Sequence, residues 1–299
     1  MPTIKAILST IEVVKYIGST KVDINKVVEL KNFKDDPYAL TWCNDKNISN
    51  LTNIKRGTII CSPKIEEFGF NSGCNYIIVN NPRRVFRSVI LNFFHKERKK
   101  NFISTSAIID KSNKIGKNPF IGHNVVIEED CVIGDNVSID HNTVIYPNTI
   151  IEDNVKIGSN NTIGGVGFGY EKDDDNAFKL IPHIGNVVIK SNVEIGNNTC
   201  IDRAVLGSTI IHENVKIDNL VHIAHGVVVG KNSLVIANSM IAGSTTIGEN
   251  VWVAPSTSII NGISVGDNSM IGMGSVVIKP IEMDVVVVGN PAKVIRQIN

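Results

Sequence analysis

The chain has 299 residues, of which 42% are hydrophobic and 20% charged, and its formal net charge is +1. This length and composition are typical of a globular protein that buries a sizeable core and divides into two domains. No run of about 18 apolar residues marks a membrane span, and Glu12 and Lys15 interrupt the N-terminal segment before a secretory core forms, so we predict a cytoplasmic protein without an integral membrane segment.

The charge is divided unevenly along the chain. Residues 1–101 contain 17 Lys and Arg against 9 Asp and Glu, whereas residues 102–299 contain 13 against 20. The basic first part would attract a ligand that carries phosphate. Because no recognised nucleic-acid-binding motif accompanies the basic residues, we predict that nucleic acid is not a partner.

The five cysteines are odd in number, scattered, and without a Cys-x-x-Cys pair. Such a set indicates neither a disulfide framework nor a thiolate metal site. We predict buried free thiols at Cys43, Cys61, Cys74, Cys131 and Cys200, and no bound metal.

The first part of the chain mixes helical and strand-like patterns. The residues near Lys5–Ile17 follow a helical pattern, whereas Gly57–Cys61 and Tyr76–Val79 are typical of strands. A helix is predicted after Asn81-Pro82, because proline stands there at a favoured first-turn position. We therefore predict a small α/β domain over residues 1–101.

After this domain, an aliphatic residue recurs at every sixth position. Gly, Asp, Glu or Ala often follows it, and a smaller Val, Thr, Ser or Cys commonly occupies the fifth position. A helix needs a period near 3.6 and an ordinary strand a period of 2, so neither explains the pattern. The pattern predicts short flat strands, joined by turns, that stack to bury one continuous core. The repeat positions are 103, 109, 115, 121, 127, 133, 139, 145, 151, 157 and 163, then 189, 195 and 201, then 211, 217, 223, 229, 235, 241, 247, 253, 259, 265, 271 and 277.

With this repeat the sequence resembles the hexapeptide-repeat acyltransferases. The resemblance implies a mainly β protein, a left-handed parallel β-helix with three hexads in each 18-residue coil, and a homotrimer with active sites between subunits. We predict the β-helix over residues 102–280 and a short C-terminal tail over 281–299. Residues 164–188 break the period and form a loop insertion, which is usually functional or partner-binding in a regular solenoid.

Acyl transfer to an amine needs a base for the amine proton and a donor for the tetrahedral oxyanion. Histidine is the natural base at neutral pH. His225 has the most specific setting of the histidines, two residues after the repeat residue Ile223 in IDNLVHIAHGVVVG. Gly243 follows one coil later, so stacking would bring its backbone N–H beside the His225 ring. We predict His225 as the base and Gly243 as the oxyanion donor, with a surface histidine at a solenoid corner as the alternative.

The stretch from Gly164 to Gly230 resembles the UDP-3-O-acylglucosamine N-acyltransferase family through GGVGFGY, IPHIG, VEIGNNTCIDR and IDNLVHIAHGVVVG. The resemblance implies the same two roles, because the histidine of the Ile-Ala-His triplet is the base in that family and the glycine one coil later makes the oxyanion contact. Asp218, Asn219 and His222 lie in the same motif. The resemblance implies that they position the substrate, and a solvated turn is the alternative.

The resemblance extends into the first domain through LTWCNDKN, YIIVNNPRRVFRSVI and FISTSAIID. It implies that this domain binds a nucleotide, with Trp42 stacking on the uracil and Asn44 as its polar partner. The loop is one residue shorter here than in the family. A core tryptophan is the alternative for Trp42.

Two departures from the family guide the choice of substrates. Ile263 stands where the family has a second histidine, and VVVGNPAKVIRQIN resembles the CoA-dependent hexapeptide acetyltransferases where the family has a helical extension. We predict an N-acyltransferase that uses acyl-CoA and a nucleotide-linked amino sugar in surface-glycan biosynthesis, without a tightly bound cofactor. The alternative is UDP-3-O-(3-hydroxyacyl)glucosamine N-acyltransferase of lipid A biosynthesis, with acyl carrier protein as the donor.

Two other classes are more remote alternatives. A γ-carbonic-anhydrase-like metalloenzyme would place histidine ligands at HxxxxH spacing, but His222 and His225 are three residues apart and no third histidine fits. A structural or ice-binding solenoid needs a flat, Thr-rich face, and the Thr positions here are irregular.

Overall fold

The structure is a computed structural model that describes residues 1–96 and 101–298. The chain forms two compact units, Met1–Arg98 and Lys99–Asn299, which divide it close to the predicted boundary after residue 101. In the described ranges, no helix has both the length and the apolar character needed to cross a membrane.

The first unit is a five-stranded sheet flanked by short helices, and it corresponds to the predicted small α/β domain. The strands are β1 (Lys15–Ile17), β2 (Lys26–Val27), β3 (Ala39–Trp42), β4 (Gly57–Cys61) and β5 (Cys74–Ile78), in the order β1-β5-β4-β3-β2. β1 runs antiparallel to β5, and the other pairs are parallel. The helices are α1 (Ile4–Leu8) and α2 (Pro82–Val89), with 3₁₀ segments at Leu30–Asn32, Asp45–Asn53 and Pro63–Glu67 and a π-helical turn at Ile90–Phe94.

The helix predicted near Lys5–Ile17 is wrong from Ser9 onward. α1 ends at Leu8, where the hydroxyls of Ser9 and Thr10 donate hydrogen bonds to carbonyls one turn earlier. Hydroxyl side chains that bond the local backbone compete with helix continuation. The β-branched and aromatic residues that follow favour extended backbone, and they form β1.

The other predicted elements of this unit are confirmed. β4 has the predicted bounds, and β5 covers most of the predicted second strand. α2 begins where Asn81 was expected to start it, because the Asn81 side chain accepts a hydrogen bond from the Arg84 N–H at 3.0 Å and Pro82 occupies the first turn.

Within the described residues, the second unit is a left-handed parallel β-helix with three faces of nine, eight and eleven strands, as the family resemblance implies. The nine-stranded face contains Ile108–Ile109, Val126–Ile127, Val144–Ile145, Thr162–Val166, Cys200–Arg203, His222–Ile223, Met240–Ile241, Ser258–Ile259 and Val276–Val277. The eight-stranded face contains Lys114–Ile115, Val132–Ile133, Ile150–Ile151, Asn186–Ile189, Ser208–Ile211, Val228–Val229, Thr246–Ile247 and Ser264–Val265. The eleven-stranded face contains Phe102–Ile103, Phe120–Ile121, Ser138–Ile139, Lys156–Ile157, Glu194–Ile195, Lys216–Ile217, Leu234–Val235, Trp252–Val253, Met270–Ile271, Val285–Gly289 and Ala292–Gln297.

From Ile121 onward the repeat residues point inward and form one continuous core, whereas Ile109 and Ile115 are partly buried against it and Ile103 is exposed. Smaller side chains at the fifth position, such as Val125 and Thr143, are buried beside them. The turns need left-handed backbone, which asparagine adopts more readily than most residues. Asn118 and Asn136 have φ of 55° and 57°. The side-chain amide of Asn118 donates a hydrogen bond to the side-chain oxygen of Asn136, in the next coil, at 3.3 Å. The asparagines therefore set the corners and also link the coils.

Two interruptions lengthen individual coils. Regular partners are 18 residues apart, as for the amides just described, whereas Thr162 pairs with Cys200 38 residues later. The predicted insertion over residues 164–188 causes this difference, and it contains an antiparallel hairpin of Tyr170–Lys172 and Phe178–Leu180. Cys200 pairs in turn with His222, 22 residues later. A second, smaller insertion therefore accounts for the shift of phase in the repeat.

Asn161 ties the coils together next to the larger insertion. Its buried amide nitrogen donates to the carbonyls of Gly158 and Gly196 at 2.9 and 2.8 Å, and its oxygen accepts from the Thr199 N–H at 2.7 Å. We expect Asn161→Ala to lower the free energy of unfolding by about 2–4 kcal/mol, because buried backbone groups lose their partners. Urea unfolding measures this. The control Lys156→Ala, at a mostly exposed side chain, should change it by less than about 0.5 kcal/mol, and equal values for the two variants would contradict the assignment.

The segment predicted as a short tail over residues 281–299 contains strands. Val285–Gly289 continues the eleven-stranded face by pairing with Met270–Ile271, and Ala292–Gln297 pairs with it in antiparallel fashion. Ala292–Gln297 is therefore the edge strand of this face.

Four of the five cysteines are buried free thiols, as predicted, but Cys200 is exposed. Cys200 immediately precedes the inward-facing repeat residue Ile201. Because side chains alternate along a strand, Cys200 points outward.

Candidate active site

The second unit contains a cavity of about 380 Å³ next to the Ile-Ala-His triplet. Three of the predicted site residues line it, namely His222, His225 and Gly243. The remaining lining residues are Phe168, Asp202, Ala224, Met240, Ala242, Ser244 and Asn261. The fold therefore brings together the predicted base, the predicted oxyanion donor and one predicted substrate-positioning residue.

Coil stacking places Gly243 beside His225, as the 18-residue spacing predicts. The Ser244 N–H donates to the His225 carbonyl at 2.9 Å, which ties the two coils together at this turn. A methyl group added to Gly243 would lie 2.6 Å from Cε1 and 2.7 Å from Nε2 of the His225 ring. The Cε1–Nε2 edge of the imidazole therefore occupies the space that a side chain at position 243 would need.

The Gly243 N–H is available to a ligand. At the same turn position in other coils, a side chain of the following coil accepts the backbone N–H, as Asp135 does for Lys117 and Asp267 for Glu249, both at 2.7 Å. Among the residues that the structure describes, none accepts a hydrogen bond from the Gly243 N–H. A free amide beside an imidazole is the arrangement that stabilises an oxyanion while a proton is removed.

Burial determines the protonation chemistry of this cavity. Loss of hydration lowers the pKa of His225, and charge repulsion from His183 and His222 lowers it further. Burial raises the pKa of Asp202, whereas attraction to His222 and His183 acts in the opposite direction. The Asp202 Oδ2 lies 3.6 Å from the His222 Nε2. The surroundings of His225 thus favour the neutral imidazole, which is the form that can accept a proton.

Three residues at this site are not singled out by the repeat or by the catalytic motif. Phe168 and His183 belong to the loop insertion, and Asp202 lies on the strand that pairs with His222–Ile223. Their signals in the sequence are the segments GGVGFGY, IPHIG and VEIGNNTCIDR, which carry the family resemblance. The insertion contributes to the wall of the cavity, because Phe168 lines it.

The structure places Asp218 and Asn219 at a neighbouring turn rather than among the residues that line the cavity. One Asp218 oxygen accepts from the Asn219 N–H at 2.8 Å and the other from the Ala237 N–H at 3.3 Å. The side-chain oxygen of Asn219 accepts a hydrogen bond from the backbone N–H of Asn197 at 2.7 Å. Both side chains therefore stabilise the stacked turns, and a substrate-positioning role for them stays a prediction.

Trp42 and Asn44 lie together in the first unit, at a cavity of about 780 Å³. The Trp42 ring stacks on Phe86, with centroids 5.8 Å apart and an interplanar angle of 28°. The Asn44 side chain caps the following 3₁₀ segment by accepting from the Asn47 N–H at 3.2 Å. Trp42 is thus a partly exposed aromatic wall, whereas the oxygen of Asn44 is engaged locally.

Comparison with known proteins shows the repeat independently of the structure. The family model described as bacterial transferase hexapeptide (six repeats) matches residues 114–145, 130–165, 208–243 and 244–279. These matches lie on both sides of the loop insertion and include His225 and Gly243.

Among curated proteins, the chain is similar to UDP-3-O-acylglucosamine N-acyltransferase of Cytophaga hutchinsonii, with 54% identity over 80 residues, or 27% of this chain and 23% of that protein. UDP-3-O-acylglucosamine N-acyltransferase 1 of Legionella pneumophila is 56% identical over 75 residues, or 25% of this chain and 21% of that protein. The similarity thus spans about a quarter of the length of these relatives.

Among solved structures, the chain is similar to UDP-N-acetylglucosamine acyltransferase from Campylobacter jejuni, with a TM-score of 0.60 and 26% identity over 66% of this chain and 75% of that one. LpxA from Acinetobacter baumannii gives a TM-score of 0.61 and 25% identity over 66% of this chain and 74% of that one. The described residues contain no group of three or more His, Cys, Asp or Glu arranged to hold a metal ion. Residues 114–165 and 208–279 thus match the bacterial transferase hexapeptide family, and over about a quarter of its length the chain is similar to the UDP-3-O-acylglucosamine N-acyltransferases.

Proposed function

We propose that the protein is an N-acyltransferase that moves an acyl group from a thioester donor to the amino group of a nucleotide-activated sugar. The observation that carries this proposal is the position of the His225 imidazole, which lies over Gly243 while the Gly243 N–H has no acceptor in the described structure. Such a pair serves an addition reaction in which a proton leaves the nucleophile as negative charge develops on a carbonyl oxygen.

In the proposed reaction, the sugar amine attacks the thioester carbonyl and forms a C–N bond. The Gly243 N–H donates to the oxyanion, and His225 takes the proton that the nitrogen loses. Collapse of the tetrahedral adduct breaks the C–S bond, and the departing sulfur takes the proton from His225 to leave as a thiol, which returns the imidazole to its neutral form. His225 is suited to the first proton transfer, because its surroundings lower its pKa and keep it neutral.

The comparisons favour the acceptor of the alternative pair of substrates. The curated relatives are named UDP-3-O-acylglucosamine N-acyltransferase, so we propose UDP-3-O-acylglucosamine as the acceptor. We propose with it the donor of the same alternative, a 3-hydroxyacyl carrier protein. The other pair is acyl-CoA as the donor and another nucleotide-linked amino sugar as the acceptor. A thioester-release assay that crosses both donors with both acceptors separates them. Faster turnover with acyl-CoA and a non-acylated amino sugar would overturn the proposed pair.

The same proposal assigns the cavity in the first unit to the nucleotide base. We expect Trp42→Ala to raise the KM for the nucleotide sugar about tenfold or more with little change in kcat, because stacking on a base contributes about 1–3 kcal/mol of uniform binding. Steady-state kinetics at saturating donor measure this. An unchanged KM in a folded variant would remove Trp42 from the site. Tyr38→Ala, at an exposed aromatic of the same unit outside that cavity, is the matched control.

Assembly is part of the proposal as well. The cavity in the second unit is bordered by Phe168, which is 85% exposed in the single chain. We propose that three copies assemble and that a neighbouring copy covers this side of the site.

A further inference from the structure

His183 comes from the loop insertion and is packed against the proposed base. Its side chain is 7% exposed, and its ring meets that of His225 at an interplanar angle of 82° with centroids 5.3 Å apart. His183 lies outside the Ile-Ala-His motif, and the reaction described above does not use it. Its position directly behind His225 gives it a means of acting on that residue.

One nitrogen of His183 is anchored and the other is unpaired. Nδ1 lies 2.7 Å from the Ile181 carbonyl oxygen, which can accept but not donate, so Nδ1 carries the proton. Nε2 is buried, and it has no hydrogen-bond partner among the described residues. An apolar ring would fill the same space without an unpaired acceptor. The anchored Nδ1–H is what a histidine adds here, because it fixes the plane of the ring.

Two glycines of the insertion make room for this contact. A methyl group added to Gly167 would lie 3.1 Å from the His183 Nε2, 3.1 Å from Cβ of His225 and 3.2 Å from its Cδ2. A methyl group added to Gly169 would lie 3.0 Å from Cε1 of His183. The His225 ring is thus enclosed on its Cδ2 side by Gly167 and His183, while its Cε1–Nε2 edge faces Gly243.

The backbone around His183 is held on both sides. The Ile181 N–H donates to the Gly169 carbonyl at 2.9 Å, which joins the two legs of the insertion. The Ile184 N–H donates to the Val205 carbonyl at 3.0 Å. These two hydrogen bonds hold the backbone on either side of His183.

We propose that His183 is a positioning residue for His225, whose anchored ring keeps the Cε1–Nε2 edge of the base directed at Gly243. This inference rests on the proposed function. It gives the loop insertion a role in the reaction, because the insertion supplies the side chain that packs against the base. Position governs rate here because a displacement of about 1 Å at a reacting group can reduce turnover about 10²-fold.

The test compares His183→Ala with His183→Phe. We expect His183→Ala to lower kcat about 10²-fold with an unchanged KM, because the base loses its support but the substrate loses no contact. His183→Phe should recover about tenfold of that loss, since a phenyl ring restores the wall without the Nδ1–H anchor. A kcat for His183→Ala within twofold of the wild type would overturn the proposal, and so would a change confined to KM.

A second readout does not depend on turnover and separates this inference from the proposed function. Two titratable groups, His183 and His222, act on the charge of His225, and Asp202 lines the same cavity. Histidine NMR should show the ionisation midpoint of His225 moving to higher pH in His183→Ala, because loss of the packed ring exposes the imidazole to water and a smaller contribution from charge repulsion is also lost. In His183→Phe, whose ring keeps the His225 imidazole covered, the midpoint should stay closer to that of the wild type. An unmoved midpoint in His183→Ala would overturn the inference, whatever reaction the protein catalyses.

Gly167→Ala disturbs the same contact between His183 and His225 without changing either histidine. It replaces His183→Ala as the test if that variant fails to fold. Its methyl group would press on both imidazoles, so we expect a lower kcat at an unchanged KM. Gly165→Ala is the matched control, because its methyl group would meet Thr162 Cγ2 at 3.2 Å and no group of the active site. Equal kcat values for the two glycine variants would count against the proposal.

Discussion

His225→Ala should lower kcat about 10²–10⁴-fold, with little change in thermal stability. The residue lies at a turn of the β-helix and lines the cavity, outside the stack of buried aliphatic side chains. Removing it therefore leaves the core packing intact but deletes the group that accepts the amine proton. His222→Ala should be milder, because His222 is expected to position the sugar rather than to transfer a proton. Thioester release under saturating conditions measures both variants.

We also expect kcat/KM to depend on pH through the ionisation of His225. His225 works as a base when it is unprotonated, so kcat/KM should fall as the pH drops through its pKa. Burial and the neighbouring histidines lower that pKa, which places the acid limb below the ordinary histidine value of about 6.5. His212→Ala is the control, because His212 lies near Glu213 on another face of the solenoid. Near-normal kcat in His225→Ala would mean that the amine loses its proton to water or to another group.

Gly243→Ala should produce a loss of about 10²–10³-fold in kcat. The added methyl group would lie within 2.7 Å of two ring atoms of His225, so the imidazole has to move away from the reacting amine. It would also crowd the space beside the Gly243 N–H, where we place the oxyanion. One methyl group therefore disturbs both the base and the oxyanion donor.

The control for Gly243→Ala separates this effect from general damage to the β-helix. Gly165→Ala adds the same methyl group to another glycine of the nine-stranded face, away from His225. We expect full activity and an unchanged melting temperature for the control, whereas Gly243→Ala should keep the fold but lose turnover. If Gly243→Ala retains wild-type kcat, the amide does not act where we place it.

The solenoid could be predicted because its signal repeats. Every coil buries the same kinds of side chain at the same positions, so an error at one hexad is corrected by its neighbours. The first unit offers no such redundancy. There the pattern near Lys5–Ile17 predicted too long a helix, since the hydroxyls of Ser9 and Thr10 end α1 after Leu8.

The candidate site could be predicted in part, for a related reason. The offset between His225 and Gly243 is one regular coil, and the structure stacks them as that offset requires. His183 and Asp202 could not be placed in this way, because two insertions of different length separate them from the regular register. Residues brought in by an insertion need the folded chain before their neighbours are known.

The most direct test of the account is to identify the product. Purified protein is incubated with UDP-3-O-acylglucosamine and either a 3-hydroxyacyl carrier protein or the corresponding acyl-CoA, and the sugar nucleotide is analysed by mass spectrometry with fragmentation. We expect the acceptor to gain one acyl group on its nitrogen and an acceptor with a blocked amine to gain none. We also expect His225→Ala to form the product far more slowly than the wild type. Acylation of oxygen alone, or equal product formation by the wild type and His225→Ala, would contradict the account.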